Sequence, residues 1–68
     1  MNPSPALTEF ETHRRRLFGL AYRMLGSATD ADDVLQDTYL RWSGVADTAR
    51  EPAAYLTTIV TRLCLDSL

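Results

Sequence analysis

The sequence predicts an all-α domain, a compact bundle of three helices, and three observations carry that expectation. Nowhere do apolar and polar residues alternate as they would along a strand. Apolar residues recur instead at helical spacing in three separate stretches. Each stretch is bounded by residues that start or stop helices. At 68 residues the chain makes one domain, spanning 1–68. A domain of this size buries only about 60% of the surface its unfolded chain exposes.

Residues 1–4 are expected to form an unstructured lead-in, and the first helix has two candidate starts. Ser4 can cap it with Pro5 at the first helical position, or Thr8 can cap it with Glu11 three residues on, in a reciprocal capping box. The inward stripe is then Leu7, Phe10, Leu17, Leu20, Ala21, Met24 and Leu25. Gly26 stops the helix, because a residue without Cβ turns into the left-handed region at no steric cost. Gly19 weakens the helix interior by about 1 kcal/mol relative to alanine, and a close helix crossing there is the expected compensation.

The second helix opens at Ser27 or Thr29, with Asp30, Asp32 and Asp33 in its first turn, where the helix dipole favours negative charge. Its buried stripe is Ala31, Val34, Leu35, Thr38 and Trp42, and Ser43-Gly44 ends it. A loop over residues 43–50 leads to Pro52, which suits the first turn of the third helix. The inward stripe there is Leu56, Ile59, Val60, Leu63 and Ser67. That helix is still in phase at Leu68, with no stop signal after it, so a longer protein is expected to continue beyond it.

Composition excludes several function classes. No apolar run is long enough to cross a membrane, and residues 1–5 lack the basic start and apolar centre of a secretory signal. The single cysteine, Cys64, can form no internal disulfide, which fits a reducing cytoplasm, and it reads as a small buried filler. One His and one Cys make no metal set, no catalytic constellation is visible, and neither cofactor nor enzyme activity is expected.

Net charge is −2, too acidic for a protein that grips duplex DNA by charge alone. The charge is unevenly spread: residues 1–25 carry +2, residues 26–45 carry −3 and residues 46–68 carry −1. His13, Arg14, Arg15 and Arg16 form a local positive cluster that is either a solvated face or a neighbour of a phosphate backbone. Opposite to the buried stripe of the second helix, Asp33, Gln36, Asp37 and Leu40 share one outward face at i, i+3, i+4, i+7. It reads either as a solvated acidic face with one exposed leucine or as a docking surface for a basic, partly apolar partner helix. On the third helix Tyr55, Thr58, Thr61, Arg62 and Leu65 lie off the core stripe. They are either helix surface with Tyr55 at the core edge, or a set whose hydroxyls and arginine bond bases and phosphates while Tyr55 stacks on an unpaired base.

The run Asp30-Ala31-Asp32-Asp33-Val34-Leu35-Gln36-Asp37-Thr38-Tyr39-Leu40-Arg41-Trp42 resembles a signature of the sigma-70 family of RNA polymerase sigma factors. In the extracytoplasmic-function type this segment typically reads D-A-E-D-x-x-Q-E-x-F-L-R. The preceding Phe18-Gly19-Leu20-Ala21-Tyr22-Arg23-Met24-Leu25-Gly26-Ser27 is similar to the first conserved helix of the family's region 2. Glu51-Pro52-Ala53-Ala54-Tyr55-Leu56, with Thr57-Thr58-Ile59-Val60-Thr61-Arg62 and Asp66, is similar to the last one. The resemblance covers residues 10–68 in the family's order. Its wording is nearest to the subgroup that carries an extra C-terminal domain of the ketosteroid-isomerase-like type.

The resemblance implies that the second helix docks on the clamp coiled coil of core RNA polymerase, through Asp33, Gln36, Asp37 and Leu40. It implies that the third helix and the loop before it (residues 43–51, including Arg50) capture the melted non-template strand of the minus-ten promoter element. The loop would hold a flipped base, and Tyr55, Thr58, Thr61 and Arg62 would face DNA. An anti-sigma factor is a candidate further partner. Two positions depart from the extracytoplasmic-function pattern: Arg62 stands where many members have asparagine, and Tyr55 where a tryptophan is common. Two rivals use the same residues differently. One is a helical protein–protein adaptor working through the acidic face alone. The other is a helix-turn-helix reader of duplex DNA, disfavoured by the long loop before the third helix and by Arg62 being the one strong base reader on it.

Overall fold

In the computed structural model, which describes residues 4–68, three helices follow one another: α1 (Pro5–Leu25), α2 (Ala28–Ser43) and α3 (Pro52–Ser67). Each packs against both of the others, and the described residues contain no strand. Of the two candidate starts of α1, the earlier one is used. Ser4 is extended, its Oγ accepts the Leu7 amide at 3.2 Å, and Pro5 follows at the first helical position. Thr8 lies inside the first turn with its amide on the Ser4 carbonyl at 3.0 Å, so no capping box forms with Glu11. Proline has no amide to leave unpaired and a φ already suited to the helix, so the extra turn costs little. Residues 1–3 of the expected lead-in lie outside the described residues.

Gly26 ends α1 in the left-handed region, φ 71°, and its amide reaches the Tyr22 carbonyl at 2.8 Å. Ser27, rather than Thr29, caps α2, accepting the Asp30 amide on Oγ at 3.2 Å. Pro52 opens α3, whose N-cap residue, Glu51, makes no side-chain cap bond. The connection between α2 and α3 is tightly wound. The Val45 amide bonds to the Trp42 carbonyl, and the amides of Thr48 and Ala49 both return to the Val45 carbonyl, while Val45, Ala46 and Ala49 pack on the core.

The core is built from Phe10, Leu17 and Ala21 of α1, then Ala31, Val34, Leu35, Thr38 and Trp42 of α2, then Leu56, Val60 and Cys64 of α3. The stripe of α2 is the expected one, residue for residue. Its two polar members are satisfied: Thr38 Oγ1 donates to the Val34 carbonyl at 2.7 Å, and Trp42 Nε1 donates to the Ala6 carbonyl at 2.9 Å. The second of these bonds ties the end of α2 to the start of α1.

Three expectations are corrected. Leu7 is exposed because it lies on the rim of the groove between α1 and α2, beside Phe10, Leu35 and Tyr39, rather than under it. On α3, Ser67 is exposed and Ile59 and Leu63 are only half-buried, while Cys64 is the fully buried filler expected of it. The helix is thus turned so that the four-residue ladder Leu56, Val60, Cys64 points inward. Gly19 sits at no close crossing, since a Cβ there would meet only the Arg23 guanidinium, at 3.8 Å. Its carbonyl accepts the Arg23 Nε at 3.3 Å.

Candidate functional site

Because Ala31, Val34, Leu35, Thr38 and Trp42 all face inward, the opposite side of α2 is left to solvent. Asp33, Gln36, Asp37 and Leu40 are all exposed there, and Leu40 is 65% exposed, an apolar side chain with no intramolecular partner to explain it. Asp30 and Asp32 are exposed beside them. The nearest cation is Arg41, whose Nε lies 3.8 Å from Asp37 Oδ1, one turn along the helix. Both side chains of that pair are solvated, so it is worth a fraction of a kcal/mol and leaves the ridge acidic. Gln36 borders a groove toward α1 that is lined by Leu7, Phe10, Glu11, Arg14 and Tyr39. Asp33 and Asp37 border a second groove, toward α3, floored by Leu25, Val34 and Leu63.

On α3 the inward turn of Leu56, Val60 and Cys64 brings Tyr55, Thr58 and Arg62 together on the outer face. Tyr55 is 43% exposed, and its ring centroid lies 6.0 Å from that of buried Trp42 at a tilt of 52°. It is therefore both core edge and exposed ring: one face leans on Trp42, leaving an aromatic surface to solvent. Thr58 Oγ1 donates to the Ala54 carbonyl at 3.0 Å, so outward it presents lone pairs, which suit amino groups as donors. Half-buried Ile59 floors a shallow recess between Tyr55, Thr58 and Arg62. Arg50 is exposed just before α3. Thr61 is half-buried on the flank of α3, outside that recess.

The positive cluster of α1 is only partly dispersed by the helix, since Arg14 and Arg15 line one shallow recess with Glu11 and Phe18. His13 is half-buried, with Nε2 3.9 Å from Glu9 Oε1. Arg14 also borders the groove beside Tyr39. Arg16 is committed to α3, donating to Thr57 Oγ1 at 2.9 Å and to the Ala53 carbonyl at 3.4 Å. Thr57 in turn donates to the same Ala53 carbonyl at 2.8 Å, which braces the first turns of α3 against α1. Sequence reading gave Arg16 no such role, since nothing in a one-dimensional pattern says which neighbour an arginine reaches.

Chemically, the described residues offer binding surfaces. They contain no group of three or more His, Cys, Asp or Glu side chains able to hold a metal ion. Cys64 is free and buried, and burial pushes its thiol pKa up, away from the nucleophilic thiolate. No helix among the described residues is long and apolar enough to cross a membrane.

The family described as Sigma-70 region 2 matches residues 10–68. Over 62 residues the chain is 44% identical to the ECF RNA polymerase sigma factor SigJ of Mycobacterium tuberculosis, an alignment covering 91% of this chain and 20% of that protein. It is 42% identical over 59 residues to the ferric citrate uptake sigma factor FecI of Escherichia coli, covering 84% of this chain and 34% of that one. A third similar protein is the sigma factor SigL of M. tuberculosis, 36% identical over 61 residues. The chain thus spans a fifth to a third of the length of these relatives. No solved structure gives a significant match.

Proposed function

The chain belongs to the Sigma-70 region 2 family, and from that premise we propose that it is the part of a sigma factor that docks on core RNA polymerase and captures melted promoter DNA during transcription initiation. The observation that carries this reading is the pair of exposed faces standing off one core. On α2, Leu40 is ringed by Gln36, Asp37 and Asp33; on α3, Tyr55, Thr58 and Arg62 surround the Ile59 recess. The α2 ridge suits the clamp coiled coil of the polymerase, whose basic and apolar side chains would meet acids that set register and a leucine that supplies area. The α3 face suits the unpaired non-template strand of the minus-ten element. There Tyr55 stacks on a base, Thr58 and Arg62 make directed hydrogen bonds, and Arg50 reaches in from the loop. Thr61, on the flank, joins only at the margin.

The role is non-catalytic, in the cytoplasm with the polymerase, and an anti-sigma factor competing for the α2 ridge is a compatible partner. The narrower assignment, to the subgroup with an additional ketosteroid-isomerase-like domain, rests on the wording of residues 18–27 and 60–66. Weak intrinsic affinity for DNA follows from the net charge of −2. Docking supplies the rest, since a strand already held on polymerase meets the α3 face at high effective concentration. The test measures binding to a clamp coiled-coil fragment, with Gln36→Ala and Asp37→Arg expected to weaken it. With core polymerase present, single-stranded non-template DNA should bind better than duplex. Equal binding by both variants removes the docking role of α2, and tight binding to duplex alone favours a helix-turn-helix reader.

A further inference from the structure

Every cation of this chain but the lone histidine and the N-terminus is an arginine, and the seven arginines are placed very differently. Arg16 is spent on Thr57 and Ala53, Arg23 on the Gly19 carbonyl, and Arg14 borders the α1–α2 groove. Arg41 and Arg62 come from different helices and line one groove with Tyr55, Ile59, Val45, Leu63 and Asp66. Neither side chain makes a hydrogen bond among the described residues, and the Arg41 guanidinium has only its loose, solvated approach to Asp37. Beyond Arg41 the seam between α2 and α3 turns acidic, lined by Asp30, Asp33, Asp37 and Asp66. The groove is therefore cationic and aromatic at the Tyr55 end and anionic at the other, with Arg41 at the border.

We infer that Arg41 is a nucleic-acid contact: a single strand stacked at Tyr55 runs from α3 onto the end of α2, and the Arg41 guanidinium takes one of its backbone phosphates. This rests on the α3 face binding a melted strand, as proposed above, and extends that surface to a helix otherwise given to polymerase. The acids past Arg41 repel phosphate, so the strand turns out to solvent there and Arg41 marks the end of its path. A phosphate contact carries no base information, so the effect is the same for every sequence.

The experiment titrates a fluorescent single-stranded oligodeoxynucleotide with the chain saturated by core polymerase, comparing Arg41→Ala, Arg41→Lys, Tyr55→Ala and Arg62→Ala across a salt series. Arg41→Ala should weaken binding up to about fivefold, the scale of one exposed charge pair. It should also lower the log–log salt slope by about 0.7, the value for one phosphate on a single strand. Arg41→Lys keeps the charge and should keep the slope. Weakening by Tyr55→Ala and Arg62→Ala with Arg41→Ala unchanged in affinity and slope overturns this inference and leaves the α3 reading standing. Loss of effect in all three alanine variants overturns both.

Discussion

Truncating Leu40 separates a docking residue from a structural one. Leu40 is 65% exposed, so about a third of its surface is already covered. Full burial of a leucine side chain is worth about 1.5–3 kcal/mol, which leaves about 1–2 kcal/mol for a partner to collect. Leu40→Ala should therefore raise the Kd for a clamp coiled-coil fragment by about 5–30-fold. Stability should barely move, because exposed substitutions stay within about 0.5 kcal/mol. In a domain of this size that is a change in Tm of no more than about 4 °C. Leu35→Ala, earlier on the same helix and 2% exposed, supplies the contrast. It leaves a cavity costing about 2–5 kcal/mol, enough to lower Tm by about 8 °C or more. Calorimetric titration and thermal melts read both quantities on the same samples. A Kd within twofold of the parent for Leu40→Ala, or a Tm loss matching that of Leu35→Ala, refutes the assignment of this leucine to a partner.

Tyr55→Ala should weaken single-strand binding on polymerase by about 1–3 kcal/mol, the measured scale of one base–aromatic stack, read as an anisotropy shift. Arg16→Ala should cost about 1 kcal/mol of stability through its two bonds to α3. It should speed amide hydrogen exchange in the first turns of α3 more than in α2. Cys64 should resist a thiol reagent in the folded chain and react once urea unfolds it. Because burial raises its pKa, the folded state keeps the proton after the unfolded state has lost it. Stability from this group is complete below the unfolded thiol's pKa and declines as pH rises through that value toward the folded one, so the urea midpoint should fall in the alkaline range. A Cys64→Ala variant should lack that slope.

The helices and their outward faces were legible because both follow from one periodicity. In α2, Ala31 to Trp42 keep strict phase between a serine cap and a glycine, which fixes the inward side and thereby the side bearing Asp33, Gln36, Asp37 and Leu40. In α3 the pattern was broader, since Ile59 and Leu63 compete with Cys64 for the inward position, and only packing decides the rotation. Thr61 shows the consequence: a small turn moves it from the outer face to the flank. Contacts between elements left no trace in the pattern. The brace from Arg16 to Thr57 spans 41 residues, and the shared groove of Arg41 and Arg62 exists only because α2 and α3 pack side by side. Gly19 illustrates the opposite error, where a glycine in a helix suggested a crossing that the fold does not make.

Trp42, the only indole in the chain, sits where two events can be watched at once. It is 1% exposed, anchored through Nε1 to the Ala6 carbonyl, and in contact with the ring of Tyr55. Its fluorescence is thus an internal gauge that needs no dye. Emission shifts to longer wavelength when the bundle opens to water, and its intensity changes when a base settles on the neighbouring tyrosine.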